Sequence, residues 1–410
     1  MELRPILSTL LRHKTAAALV VLEIALSCAI ICNALFLVSN RVERINLVSG
    51  VAEDEVVRVQ LTGIGEDENA AALTRSDLAA LRGLPGVKAA TVTNQVPFVS
   101  SSWNSSVNLE KDQKRETLGA TVYMGDAQFL DTLGPKIVAG RGFAAGEFVD
   151  WATINAPGSK ASIPAVIITR AMAAKLFPGE SAVGKSFYSW GENPLRVVGV
   201  VDHLVRPSEE GGAAEHEFTM IFPINVPYTL GGNYLLRTEP GRRDEVLKAA
   251  VAALKRNGPN RIVLEDNTKT MEALRQDYYR QDRSMAWLLV SVCIALLVVT
   301  ALGIVGLASF WVQQRTKQIG IRRALGATRG QILRYFQTEN FVLATLGIVI
   351  GMMLAYGINL GLMSRYELPR LPAIYLPIGA VALWLLGQIA VFGPARRAAA
   401  VPPAVATRSV

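Results

Sequence analysis

Cysteine is scarce in this chain of 410 residues: Cys28, Cys32 and Cys293 are the three, and all lie in long apolar runs. The stretch 41–283 has none, so no disulfide braces it, although it is expected to face an oxidising space. Cys28 and Cys32 stand four apart on one helical face with no histidine near them in sequence, and read as small apolar residues rather than metal ligands. Histidine is equally thin. His13, His203 and His216 form no H-E-x-x-H or similar spacing, so a metal centre has no ligand set. There is no G-x-S-x-G. Asp202-His203 beside Arg206 reads as a surface turn rather than an acid–base pair. Lys and Arg number 42 against 34 Asp and Glu, a net charge of +8. Much of that excess flanks the apolar runs, where membrane topology accounts for it, and nucleic acid is not expected as a partner.

What the chain has is apolar length. Half its residues are hydrophobic, yet 19% are charged, and mean hydropathy is +0.29. Four runs are long enough to span a bilayer: 15–38, 285–312, 341–363 and 371–393. The first follows Arg12-His13-Lys14 and has no A-x-A-like cleavage site after it, so it is expected to be an uncleaved span with its amino terminus inside. The fold class is therefore an α-helical membrane protein with four transmembrane helices and a large α+β extracytoplasmic domain between the first and second. Segment 1–14, loop 313–340 and tail 394–410 fall on one side, and 41–283 on the other. Glu23 lies inside the first span, where a charge costs roughly 2.5–3.5 kcal/mol, so it is expected to face protein or water at a helix interface. In the third span Gly347/Gly351 and Gly357/Gly361 each make G-x-x-x-G, the spacing that lets helices approach closely. The letters leave open whether that contact is within the chain or with a second subunit.

The insert alternates strand-like and helix-like runs. EVVRVQL (55–61) alternates with period two, Thr74 is expected to cap the helix TRSDLAALRGL, and 87–96 is extended again. A strand at 234–237 and a helix at 242–256 return late. The polar helix 268–283 is expected to continue into the second span. Gly179–Ser186, GESAVGKS, matches G-x-x-x-x-G-K-[ST] letter for letter. The phosphate loop requires a strand before the glycines and a helix after; here a helix-like run precedes and strand-like FYSW follows, so no nucleotide is expected there.

The loop 313–340 concentrates charge: Arg315, Lys317, Arg322, Arg323, Arg329 and Arg334 stand against Glu339 alone. Its pattern predicts a short helix ending at Gly326, placed for a left-handed stop, then a second helix capped by Thr328 and running into the third span. A loop so basic between spans is expected in the cytoplasm. A solvated basic helix lying on anionic lipid would share that composition, though it would not need the Gly-Ala turn.

This loop resembles the coupling segment of the MacB/FtsX family, the membrane subunits of mechanotransmitting ABC transporters, which reads R-x-x-E-I-G-x-x-R-A-L-G-A-x-x-x-x-I. The match is carried by Arg315, Ile319, Gly320, Arg323, Ala324, Leu325, Gly326, Ala327 and Ile332; Gln318 stands where the family has Glu. The insert is also similar to that family's periplasmic domain in MGDAQFLDTLGPKIVAGRGF, AVIITRAMAAKLFPGESAVGKSF and LRVVGVVDH, and the tail PARRAAAVPP to its terminal signature. The resemblance implies a porter-like β-α-β lobe from about 50–120 and 230–262, with a β-rich lobe between. It implies a permease subunit in the bacterial inner membrane, both termini cytoplasmic, with no catalytic residue, cofactor or metal of its own. ATP and Mg would be held by a separate cytoplasmic ABC ATPase docked on Arg315, Lys317, Gln318, Ile319, Gly320, Arg322, Arg323, Ala324, Leu325, Gly326 and Ala327. A second permease subunit, identical or related, completes the expected assembly, and a periplasmic adaptor and outer-membrane channel are compatible with it. The implied function is export or extraction of a substrate driven by periplasmic domain motion. The alternative is an FtsX-like signalling subunit regulating a periplasmic partner such as a cell-wall hydrolase.

Overall fold

A computed structural model describes residues 14–64, 69–208, 217–366 and 370–402. The apolar runs fold as helices longer than the runs themselves, because helical hydrogen bonding continues past the last apolar turn. The longer helices are α1 (Lys14–Ile45), α2 (Ala70–Arg82), α3 (Arg243–Asn257), α4 (Met271–Tyr278), α5 (Arg280–Gln314), α6 (Thr316–Ala324), α7 (Arg329–Tyr366) and α8 (Tyr375–Ala399). Of these, α1, α5, α7 and α8 are long and apolar enough to cross a membrane. The chain divides into two compact units, Leu47–Arg280 and the helices on either side of it.

In the helical unit, α7 packs along α1 and α8. Hydrogen bonds supplement that packing where no water competes. Ser27 and Thr300 share a 2.8 Å bond between α1 and α5. Asn33 Nδ2 donates to the Ala355 carbonyl at 3.1 Å, and Trp384 Nε1 to Thr345 Oγ1 at 3.1 Å. Arg41 is ion-paired with Asp282, joining the far end of α1 to the start of α5. Helix α5 is the least enclosed: its buried residues, among them Cys293, Thr300, Ile304, Ala308 and Trp311, form one narrow stripe.

The inserted unit is built on strands β1 (Val56–Gly63), β2 (Val87–Thr93), β3 (Asn104–Val107), β4 (Leu118–Gly125), β5 (Ile137–Gly140), β6 (Val149–Asp150), β7 (Val166–Thr169), β8 (Ser186–Phe187), β9 (Leu195–Val201), β10 (Thr219–Asn225), β11 (Asn233–Thr238), β12 (Arg261–Val263) and β13 (Lys269–Thr270). Nine of them form one path in the order β12-β1-β11-β2-β4-β10-β7-β9-β5, and β13, β3, β6 and β8 pair beside it with β1, β4, β10 and β9. The β2–β4 join is thin, a single pairing of Thr93 with Gly125. On one side stand β1, β2, β11, β12 and β13 with α2 and α3; on the other stand β3–β10. The boundary differs from the sequence expectation, since 104–125 belongs with the β-rich part: β4 pairs with β3 and in parallel with β10.

Local differences have physical causes. Helix α2 begins at Ala70, so Thr74 lies inside it rather than capping it. Its hydroxyl donates back to the Ala70 carbonyl and accepts from the Tyr228 amide, a common use of threonine within helices. The expected continuous helix into the second span is interrupted at Tyr279 between α4 and α5. The GESAVGKS letters follow a short helix, Arg170–Leu176, and run into β8. Lys185 there is ion-paired with Glu180 and lies over the Phe177 ring. No helix N-terminus follows that could hold a phosphate. His203 lies on a loop, its Nδ1 2.6 Å from Glu217 Oε1.

Candidate coupling site

The loop between α5 and α7 is a helical elbow. Helix α6 spans Thr316–Ala324. Gly326 stops it at φ 99°, where a side chain would be strained. Thr328 then opens α7 through a reciprocal box: the Gln331 amide donates to Thr328 Oγ1 at 3.3 Å, and the Thr328 amide to Gln331 Oε1 at 2.8 Å. Two of the orphan amides at the start of α7 are thereby satisfied.

The candidate coupling residues separate onto two faces at helical spacing. Arg315, Ile319, Gly320 and Arg323 turn inward; Lys317, Gln318, Ile321, Arg322, Ala324, Leu325 and Gly326 turn outward. Ile319 is buried in the same apolar cluster as Ile332, Phe336, Val391 and Ala395, with Ala327 packed at its margin.

Arg315 does not stand at the surface of the elbow. It is buried, and its Nη1 contacts both carboxylate oxygens of buried Glu339 at 3.0 Å. Its guanidinium also lies over the Trp311 ring. Arg323 donates from Nη1 to the carbonyls of Ala399 at 2.7 Å and Val401 at 3.3 Å, capping the end of α8, where a cation also meets the negative end of the helix dipole. These two arginines fasten the elbow to α7 and α8. Of the candidate coupling cations, Lys317 and Arg322 are left at the surface, the latter over the Tyr335 ring at 5.0 Å. Gln318 borders a small cleft of about 40 Å³ with Arg322 and Tyr335.

Sequence reading missed two parts of this site. One is Glu339, visible only as the lone acid of the loop. The other is Ile321, which is 51% exposed beside Leu325 at 83%. Spaced i and i+4, they place an apolar pair on an otherwise basic surface.

The two G-x-x-x-G pairs part company. A Cβ at Gly347 would lie 2.8 Å from Ile24 Cβ, and one at Gly351 2.5 Å from Cys28 Cβ, whereas at Gly357 and Gly361 it would meet nothing within 4 Å. The first pair is the seat of α1 within the chain. Gly351→Leu is accordingly expected to lower stability by about 1–3 kcal/mol, the cost of overpacking, with Gly357→Leu close to neutral. Thermal unfolding of both variants in detergent checks this, and equal midpoints would refute it. Glu23 is half-buried and faces α5 at Gly303, where any Cβ would strike its carboxylate.

Two family profiles match the chain: the MacB-like periplasmic core domain over residues 18–254 and the FtsX-like permease C-terminal domain over 290–403. The ABC transporter permease YknZ of Bacillus subtilis is 26% identical over 357 residues, covering 84% of this chain and 82% of YknZ. The macrolide export ATP-binding/permease protein MacB of a Shewanella species is 28% identical over 369 residues, 83% of this chain but 50% of MacB. The chain thus spans about half the length of such MacB relatives. Among solved structures, the periplasmic region of MacB from Actinobacillus actinomycetemcomitans aligns with 56% of this chain and 94% of that one, at 15% identity and a TM-score of 0.33.

Proposed function

The chain belongs to the MacB/FtsX family of ABC-transporter permeases, and on that premise we propose that it converts ATP hydrolysis in a separate ATPase subunit into movement of its periplasmic domain. The observation that carries this reading is the elbow. An exposed apolar pair, Ile321 and Leu325, is flanked by Lys317 and Arg322 and held to two spanning helices by Arg315 and Arg323. A surface so fastened can pass a push to α7 and α8 without first deforming. Apolar anchors with a charged rim suit a protein groove, since anchors supply most binding energy and rim charges steer the approach. We assign the basic loop to the cytoplasmic side on the positive-inside rule, and with four spans both chain ends to the same side; the membrane we propose is the bacterial inner one. The relatives named as exporters support export as the direction of transport. A second permease subunit, the same or related, completes the assembly we propose.

Affinity purification of the tagged chain from membranes in mild detergent, under nucleotide-trapping conditions, tests the reading. A cytoplasmic ATPase subunit is expected to accompany it. Recovery without any ATPase would overturn the coupling assignment and leave the elbow as a structural turn.

A further inference from the structure

Strand β1 presents two faces. Val57, Val59 and Leu61 point into the main apolar core, and Arg58 and Gln60 point the other way, as strand alternation requires. Gln60 stands opposite Asn233 on β11, so Arg58 is the diagonal neighbour of that asparagine. Asn233 Nδ2 donates to the carbonyls of Thr93 and Asn94, which fixes its Oδ1 toward Arg58. Arg58 Nε and Nη2 both donate to that oxygen, at 3.0 and 2.7 Å. The remaining nitrogen, Nη1, is buried and has no hydrogen-bond partner. Gln60 repeats the pattern: Nε2 donates to the Gly231 carbonyl at 3.0 Å, and buried Oε1 is unpartnered.

Both side chains line a cavity of about 430 Å³, within the size range of small-ligand sites, whose apolar wall includes Phe98, Leu274 and Tyr278. Phe98 is the one non-glycine residue with positive φ among the described residues, at 65°, a conformation that costs free energy and recurs at ligand clamps. The charges around the cavity do not cancel Arg58. Lys269 and Asp277 pair with each other at 2.7 Å, and Asp266 is exposed at the margin. Arg58 is 3% exposed and has no carboxylate partner among the described residues. Burial draws its pKa down to about 10, so it is still a cation at neutral pH. A buried cation without a counter-ion is costly, and an anion supplied from outside relieves that cost.

We propose that this cavity binds a carboxylate-bearing ligand against the uncompensated charge of Arg58, with Arg58 Nη1 and Gln60 Oε1, both closed to water in this structure, turning to meet the carboxylate and an adjacent N–H or O–H. A peptide's free carboxy terminus carries that pair of groups, a carboxylate next to an amide N–H. The site is separate from the coupling elbow, and its test does not depend on an ATPase. Titration calorimetry of the full chain in detergent, with N-acetyl-glycyl-phenylalanine as probe and its carboxamide as control, decides it. The acid is expected to bind saturably and the carboxamide at least about tenfold more weakly, since the charge-assisted bond is lost. Arg58→Gln is expected to remove acid binding. Gln60→Glu, at a half-buried position that leaves Arg58 and Asn233 in place, is expected to weaken it by about tenfold through like-charge repulsion. No saturable acid binding by the native chain, equal binding of acid and carboxamide, or native-like binding by folded Gln60→Glu would each overturn the proposal.

Discussion

Arg315→Ala is expected to destabilise the helical unit by about 3–5 kcal/mol, because it leaves the Glu339 carboxylate buried without its cation. The pair joins residues 24 apart in sequence, at the base of α6 and one-third of the way along α7, and Nη1 reaches both carboxylate oxygens at 3.0 Å. Removing both charges is a different experiment. Arg315→Met with Glu339→Leu replaces the pair with apolar groups of similar volume, which is expected to restore most of the loss. Retention of folded protein by size exclusion after graded heating in detergent distinguishes the three chains. A loss in Arg315→Ala within about 1 kcal/mol would mean that the pair behaves like a solvated surface bridge, and the elbow would then not be fastened as described. The experiment also separates two roles. A docking arginine would lose ATPase contact at unchanged stability, and a fastening arginine loses stability first.

The elements of this fold were legible wherever a local rule decides them. Apolar length marked the four spanning helices, period-two alternation marked β1, and Gly326 with Thr328 marked the elbow. Chemistry set by distant chain returns was not. Arg315 and Arg322 look alike in the sequence, and only the antiparallel return of α7 brings Glu339 to the first and Tyr335 to the second. Arg323 looks the same again, and its partners are carbonyls at the end of α8, 76 and 78 residues away. A double reversal, Arg322→Glu with Arg323→Glu, would therefore release the end of α8 as well as change the outer face. Gly347/Gly351 and Gly357/Gly361 are identical as letters, and only the course of α1 shows which pair it rests on. Arg58 is a further case. Alternation placed it opposite the core, but its missing counter-ion is a property of every element around the cavity.

The cleaner uncoupling variant is Ile321→Asp with Leu325→Asp. Neither side chain belongs to the apolar cluster that holds Ile319, and at 51% and 83% exposure neither supports the elbow. The fold should therefore keep its native heat resistance. If the pair seats in the ATPase, each anchor is worth about 2 kcal/mol or more. Together, allowing for non-additivity, they should lower affinity at least about a hundredfold, enough to remove the ATPase from a detergent pull-down. Lys317→Glu is expected to act differently, as a rim charge, weakening association mainly at low salt. ATPase recovery from the Ile321→Asp, Leu325→Asp chain equal to that from the native chain would refute the docking face. Loss of binding to anionic vesicles by the same variant, with ATPase recovery intact, would instead place this basic helix on the lipid surface, with Ile321 and Leu325 in the headgroup layer.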